Sequence, residues 1–379
     1  MLLWLALAVA LPLAIGLRWE WFRHWTPLGL WPVFDLHDLR VYFESSRWAV
    51  SSGTLYRDVT SEYPLAANLV FGAVRALAAA LHPLPDSFHS FALVWIAFGW
   101  VSYLAVLRVL FAHARRTAPL LWLTPTALHF SLLRFDGLTA LVTLWAMLAL
   151  REGRNTRAAL WLGLALALKG FALFLLPALA VYLVHRHGLR EAVRVTAIAL
   201  APFIAGNLAV LAYAGRAGMM SPYAFQAGRS FNGESTWDAI GFVLSRDPRQ
   251  LFGGVPWLPA AVQVAGALAA AALRPRTFEE LANAFLVAAV VFVSGSVFYS
   301  PQFALWLVPF ACFAPGLAVP LTCAALSWVT FAYFPIAYAH RHAHPAVLSG
   351  AIVVVTILRL ALLPLAARAA SRRRPEPAA

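Results

Sequence analysis

Five acidic residues stand close together near the start of this chain. They make up five of its 16 acidic residues within 28 positions, at Asp35, Asp38, Glu44, Asp58 and Glu62. A carboxylate can take a proton from a hydroxyl group as a general base, so this concentration predicts a candidate site. Asp35 also suits the N-cap of a helix over LHDLRVY, and we interpret it first as a cap and second as an alternative base. For Asp38, the structural and catalytic interpretations both stay open.

Charged residues also interrupt apolar runs further along the chain. Arg134 and Asp136 lie between two short apolar segments in LLRFDGL (132–138), and Lys169 interrupts ALALKGFALFLLP (165–177). A charge inside a membrane costs roughly 2.5 to 3.5 kcal/mol on insertion scales, so each one needs a partner or a task. Half-helices meeting at Arg134 and Asp136 would form an indentation that a lipid-borne substrate could enter. Lys169 would either snorkel to an interface or meet a phosphate group.

The stretch YRDVTSEYPL (56–65) brings Arg57, Asp58 and Glu62 directly before an apolar segment. Taken alone, these three residues fit a salt-bridge cluster at the membrane interface. Pro64 suits the first turn of the helix that follows. Their alternative role is to orient a polar substrate.

Two later loops add polar candidates. SPYAFQAGRSFNGESTWDAI (221–240) contains Arg229 and Glu234, for which solvated loop charges are the simpler interpretation. FYSPQFALWLVPF (298–310) breaks a helical pattern, and its Gln302 could donate hydrogen bonds to a polar ligand. These residues join the candidate site as substrate-binding groups.

Composition identifies the elements that must position these residues. A mean hydropathy of +0.74, with only 12% charged residues and 15 tryptophans, predicts an all-α polytopic membrane protein. A helix that crosses the hydrocarbon layer needs about 20 apolar residues. We expect about ten spans among the apolar segments near 2–17, 64–81, 90–112, 118–133, 137–150, 158–184, 192–214, 255–273, 281–298, 303–336 and 346–366, with 158–184 broken at Lys169 and 303–336 long enough for two helices.

The basic residues predict the orientation of the chain in the membrane. Clusters such as Arg151 to Arg157 and Arg372 to Arg374 belong on the cytoplasmic side. The loop over 18–63 is then extracytoplasmic and is expected to hold an interfacial helix. We expect residues 1–366 to form a single membrane domain and 367–379 to form a disordered basic cytoplasmic tail. The net charge of +13 is thus explained by membrane orientation and does not indicate a nucleic-acid partner.

Metal and disulfide chemistry receive no assignment from the sequence. Cys312 and Cys323 both lie in apolar helical patterns, which favours buried thiols. The histidines of HRHAHP (340–345) have a spacing of two in a loop, which is weak evidence for a metal site. No cofactor is assigned, although the acids of the first loop could hold a divalent ion.

The order of the motifs resembles a known family. DLRVYFESSRWAVSSGTLYRDVTSEYPL, LRFDGLTALVTLWAMLALREGR, LGLALALKGFALFLLPAL, GRSFNGESTWDAI and FYSPQFALWLVP follow one another over about 35–310. This succession resembles the membrane-embedded GT-C glycosyltransferases, and most nearly glycosyltransferase family 87, the polyprenyl-phosphate-mannose-dependent α-mannosyltransferases of actinobacterial type. The chain has Leu65 where that family has a second proline, and Gly170 and Phe171 where it has an aromatic residue and proline.

The resemblance implies an inverting enzyme in the cell membrane with its active site on the extracytoplasmic side. It implies a polyprenyl-phosphate sugar donor, mannose in particular, and a glycolipid or polysaccharide acceptor. It assigns the catalytic base to Asp38, in Asp-Leu-x-Val-Tyr. Lys169, Arg134 or Arg229 would compensate the phosphate charge.

Two other functions stay open from sequence. A transporter or lipid flippase would be expected to show internal repeats and polar residues at mid-membrane on many helices. We find no convincing repeat, and the polar residues lie at segment ends. A non-catalytic relative is the second alternative, because Leu65 and Gly170 depart from the family pattern.

Overall fold

A computed structural model of the protein describes residues 36–51, 53–81, 87–115, 117–231 and 234–371. The predicted span over 2–17, Asp35 and the tail beyond 371 lie outside these residues. Within them, helices account for the named secondary structure, and the one β-bridge is an isolated pair, Leu55 with Val59. The predicted all-α class is therefore confirmed.

The first helices carry the acidic loop and its neighbours. They are α1 (His37–Ser45), α2 (Leu65–Ala80), α3 (Phe88–His113), α4 (Pro119–Trp122), α5 (Pro125–Leu133), α6 (Asp136–Arg151), α7 (Asn155–Leu168) and α8 (Leu176–His187). Short 3-10 turns over Arg47–Ala49 and Gly170–Leu175 follow α1 and precede α8.

The remaining helices complete the bundle. They are α9 (Leu189–Ala227), α10 (Thr236–Val243), α11 (Pro248–Phe252), α12 (Leu258–Ala272), α13 (Phe278–Gly295), α14 (Val308–Ala311), α15 (Ala318–Phe331) and α16 (Pro345–Ser371). A 3-10 turn over Pro301–Leu307 precedes α14, and a π-helical turn over Ala332–Ala337 follows α15. The backbone of α9 breaks at Gly215, where φ is +71°, a conformation that favours glycine.

Six helical segments of the described chain are long and apolar enough to cross a membrane, and a bent pair would make a seventh. They are Phe88–His113, Gly170–His187, Leu189–Ala227, Phe278–Gly295, Ala318–Ala337 and Pro345–Ala369. The expected ten spans are thus not reached within these residues. Two predicted spans form only the shorter helices α2 and α12, and a third lies outside the described residues.

Two helical segments break where charged residues interrupt an apolar run of the sequence. Between α5 and α6 the helix axis turns by 109°, and Arg134 at the turn is extended. Gly137 lets the two helices meet, because a Cβ there would approach Ser131 Oγ to 2.8 Å. Lys169 is extended as well and ends α7. Both charged positions therefore lie at helix ends, as the sequence predicts.

The first-loop helix α1 is anchored in the protein core. Leu39 and Tyr42 are fully buried, and the Tyr42 ring stacks on Phe71 at 4.4 Å and lies 4.8 Å from Trp95. Burying one large apolar side chain contributes about 1.5 to 3 kcal/mol. The apolar face of this helix packs against α2 and α3, and it fixes Asp38, one turn before Tyr42.

Candidate active site

The first ion pair of the candidate site joins α1 to the turn before α6. Arg134 Nε lies 2.5 Å from Asp38 Oδ2. Arg134 is 7% exposed and Asp38 is 24% exposed. Arg134 also donates from Nη1 to the Leu133 carbonyl, so its guanidinium is held from two sides. Asp38 consequently keeps a fixed orientation while part of its carboxylate stays accessible.

The second pair lies at the start of α6. Lys169 Nζ is 3.2 Å from Asp136 Oδ1, and Trp306 donates its indole N–H to the same oxygen at 2.7 Å. Asp136 is fully buried, whereas Lys169 is 15% exposed. The Lys169 ammonium also lies 4.4 Å from the centre of the Phe135 ring, a cation–π distance. Lys169 is the only lysine of the chain.

The third pair joins the first loop to the segment after α9. Arg229 Nη2 lies 2.7 Å from Glu62 Oε2, with Arg229 22% and Glu62 14% exposed. The guanidinium carbon stands 4.0 Å from the ring centre of Phe298 and 4.9 Å from that of Phe225. Both charged groups of this pair keep some accessible surface.

The Phe135 ring brings the three pairs together. It separates Arg134 from Asp136 in the sequence and contacts the rings of Tyr42 and Tyr63 at 5.8 and 5.5 Å. Tyr63 directly follows Glu62. Burial raises the pKa of the Tyr63 hydroxyl well above its usual value, and the negative charges of Asp38 and Glu62 raise it further. The first-loop carboxylates therefore face one common region.

A single aromatic segment, 298–306, places its rings close to two of the cations. Phe298 contacts Arg229, and the ring centres of Phe303 and Trp306 lie 5.8 and 5.2 Å from the Lys169 ammonium. Gln302 in this segment is buried and accepts a hydrogen bond from the Ser300 hydroxyl. Its oxygen thus has a protein partner.

None of the other predicted site residues takes part in the three ion pairs. Arg57 and Asp58 are exposed in a tight turn, where Asp58 Oδ2 accepts the Thr54 N–H at 2.8 Å. Glu234 precedes α10. Burial raises the pKa of its carboxyl to about 7, the Tyr333 hydroxyl opposes this shift, and the neighbouring Asp238 adds to it.

Within the described residues, no three His, Cys, Asp or Glu side chains come close enough to share a metal ion. Cys312 and Cys323 are free and buried.

The arrangement separates the roles of the three carboxylates by accessibility. Asp38 is the most exposed, so an incoming hydroxyl can reach it. Asp136 has no exposed surface and already binds Lys169 and Trp306. It is placed to hold the lysine rather than to take a proton from a substrate. Lys169 and Arg229 keep enough surface to contact an anion.

Two residues of this region did not emerge from the sequence. Trp306 holds the buried Asp136, but nothing in the sequence distinguishes it among 15 tryptophans. Arg359 is fully buried in α16 and donates to Thr236 Oγ1 at 2.7 Å. It is a lone cation in the apolar stretch 346–366, and the same signal that identified Lys169 could have identified it.

Comparison with known proteins gives one family match. The sequence model of glycosyltransferase family 87 matches residues 62–296. No curated protein matches the chain. Among solved structures, the fold is similar to the crystal structure of ArnT from Cupriavidus metallidurans bound to undecaprenyl phosphate. The identity is 18%, the match covers 97% of this chain and 77% of that one, and the TM-score is 0.45.

Proposed function

The chain belongs to glycosyltransferase family 87, and from this premise we propose that it transfers a sugar from a polyprenyl-phosphate donor to a glycolipid or polysaccharide. We propose mannose as the sugar, a GT-C type of fold, and an active site on the extracytoplasmic side of the cell membrane. The observation that carries the proposal is the partly exposed Asp38, held by Arg134 beside two further carboxylate–cation pairs.

Asp38 acts as the general base in this proposal. It takes the proton of the acceptor hydroxyl while that oxygen forms a bond to the anomeric carbon of the donor. The bond from the anomeric carbon to the phosphate oxygen breaks on the opposite face, and its electron pair leaves with the polyprenyl phosphate. The configuration at the anomeric carbon is inverted. Arg134 orients the Asp38 carboxylate for this step.

The cations stabilise the leaving group. The donor phosphate carries one negative charge as a diester and gains a second when the sugar departs. Lys169 and Arg229 are partly exposed and can meet this developing charge. Glu62 and Asp136 keep these cations in place through their ion pairs. In the proposal, Glu62 also accepts hydrogen bonds from sugar hydroxyls.

Asp38→Asn tests the proposed base. With purified protein in nanodiscs, polyprenyl-phosphate mannose and a membrane acceptor fraction, transfer by this variant should fall by about 100-fold or more, the usual contribution of a general base. Glu44→Gln is the matched control, because it removes an exposed acid from the same helix. That control should keep the wild-type rate. An Asp38→Asn enzyme with undiminished transfer would remove Asp38 as the base.

The sugar is tested separately. Polyprenyl phosphates carrying mannose, glucose, galactose or arabinose are offered one at a time under the same conditions. We expect mannose to give the highest kcat/KM. A higher value for another sugar would correct the donor while leaving the proposed transfer reaction in place.

A further inference from the structure

Arg359 is a buried cation without a carboxylate partner in the described chain. It lies in the middle of α16, within the apolar sequence ILRLALLP (357–364), and has no exposed surface. Removing a charge from water costs several kcal/mol unless a partner compensates it. Arg134, Lys169 and Arg229 each contact a carboxylate, whereas no ion pair to Arg359 occurs among the described residues.

The contacts of Arg359 leave part of its guanidinium group unused. Nη2 donates to Thr236 Oγ1 at 2.7 Å and more weakly to Thr356 Oγ1 at 3.4 Å. The guanidinium carbon lies 4.2 Å from the ring centre of Tyr299. The Tyr299 hydroxyl is a further neighbouring acceptor, but Nε and Nη1 are buried and make no hydrogen bond of ordinary geometry to it or to another described residue. These two atoms are donors only, so they call for an anion or a neutral acceptor.

The aromatic segment 298–306 connects Arg359 to the candidate active site. Tyr299 follows Phe298, on which Arg229 rests at 4.0 Å. The Tyr299 ring lies 5.9 Å from that of Phe303, and Phe303 approaches Lys169. One short segment therefore places aromatic rings within cation–π distance of three cations, which come from three different parts of the chain. Arg359 is the one of these three without a carboxylate.

We infer that Arg359 is a phosphate-binding residue of the active site, which takes a phosphate oxygen of a lipid substrate on Nε or Nη1. This inference rests on the proposed transfer reaction. A guanidinium with unused donors suits a phosphate better than a cation already bound to a carboxylate. Because Arg359 is fully covered, the phosphate reaches it only after Thr236 at the start of α10 moves aside. The phosphate belongs either to the polyprenyl donor or to a lipid acceptor.

Binding of matched lipids with and without phosphate tests the inference. The full chain in nanodiscs is titrated with a short-chain polyprenyl phosphate and with the corresponding polyprenol, and the ratio of the two affinities is the readout. Arg359→Gln should lower the preference for phosphate by tenfold or more and leave polyprenol binding unchanged. Arg368→Gln is the matched control, because it removes an exposed arginine from the same helix.

Thr236→Val separates binding from a structural role. This variant breaks the hydrogen bond to Nη2 but keeps the guanidinium. If Arg359 binds phosphate, Thr236→Val retains the preference. If Arg359 only holds α10 in place, Thr236→Val loses the preference as fully as Arg359→Gln does, and the inference is overturned. An unchanged preference in Arg359→Gln overturns it as well.

The conservative variant covers a failure of Arg359→Gln to fold. Arg359→Lys keeps the charge but presents one nitrogen in place of the guanidinium fork. Its preference for phosphate should therefore fall by threefold or more. An unchanged preference in this variant refutes the inference. A second arm compares phosphatidic acid with diacylglycerol. An Arg359-dependent preference in this arm alone assigns the phosphate to an acceptor lipid. The binding assay does not require sugar transfer. A failure of the Arg359 inference therefore appears in the lipid affinities, whereas a failure of the proposed function appears in the transfer assay.

Discussion

Replacing Lys169 by methionine should destabilise the protein more than replacing Asp136 by asparagine. The lysine variant leaves a carboxylate with no exposed surface, held only by the Trp306 N–H and without a cation. Removing one partner of a buried ion pair costs roughly 3 to 5 kcal/mol. The asparagine variant leaves Lys169, which is 15% exposed and lies 4.4 Å from the Phe135 ring. Partial hydration and this ring reduce the expected cost to about 1 to 3 kcal/mol.

The double variant distinguishes this explanation from a simple loss of contacts. Asp136→Asn with Lys169→Met removes both charges and leaves neither group uncompensated. The double variant should therefore be more stable than Lys169→Met alone, although it also carries the Lys169→Met substitution. This order requires a coupling energy between the two substitutions that exceeds the cost of Asp136→Asn alone, about 1 to 3 kcal/mol.

Thermal unfolding in detergent provides the assay. Cys312 and Cys323 are buried at 1% and 2% exposure, so a thiol-reactive fluorophore reports unfolding without an introduced cysteine. We expect the wild type to unfold at the highest temperature and Lys169→Met at the lowest. Arg186→Met, at an exposed arginine of α8, is the control and should shift stability by less than about 0.5 kcal/mol. A double variant less stable than Lys169→Met would refute the reasoning.

Three further outcomes follow from the contacts described above. Glu62→Arg should abolish transfer, and adding Arg229→Glu should restore the ion pair and part of the stability, measured by unfolding. Glu234 has a pKa raised to about 7 by burial, so the folded state keeps a proton that the unfolded chain releases above its ordinary pKa of 4.5. Stability should fall as pH rises from about 5 to 7, by up to about 3 kcal/mol, and Glu234→Gln should remove this slope. Gly99→Ala would place a Cβ against the Ser131 carbonyl and should cost about 1 to 3 kcal/mol by overpacking.

The controls for these variants use the same measurements. Glu62→Gln removes the pair without adding a like charge, so it should be milder than Glu62→Arg. Gly254→Ala adds a methyl group where no atom lies within 4 Å of the new Cβ, and it should be neutral. A pH slope that survives in Glu234→Gln would assign the titration to another group.

The sequence predicts the breaks in the helices because a charge inside an apolar run cannot be buried alone. Arg134 and Lys169 each interrupt such a run, and each lies at the end of a helix. Their partners are less predictable. Lys169 meets Asp136 from 33 positions earlier, and Arg134 meets Asp38 across the loop and four helices. Residue spacing carries no information about contacts made by packing of separate helices.

The number of spans and the packing of α1 show the same limit. Hydropathy detects apolar segments but does not tell a membrane-facing surface from a surface buried in protein. The apolar residues of α1 predict an interfacial helix, but their spacing does not reveal that Leu39 and Tyr42 pack against neighbouring helices. Similarly, α2 and α12 are apolar but have only 16 and 15 residues, so they fall short of a full crossing.

The sharp turn between α5 and α6 sets the depth at which a reaction could take place. With 16 residues, α6 is about 24 Å long at 1.5 Å per residue, while the hydrocarbon layer is about 30 Å thick. A layer that begins at Arg151 therefore ends at least about 6 Å beyond Asp136. Groups attached to a lipid headgroup need only sink by about that distance, roughly the width of a sugar ring. Because this depth is small, a polar substrate avoids the desolvation that the middle of the bilayer would impose.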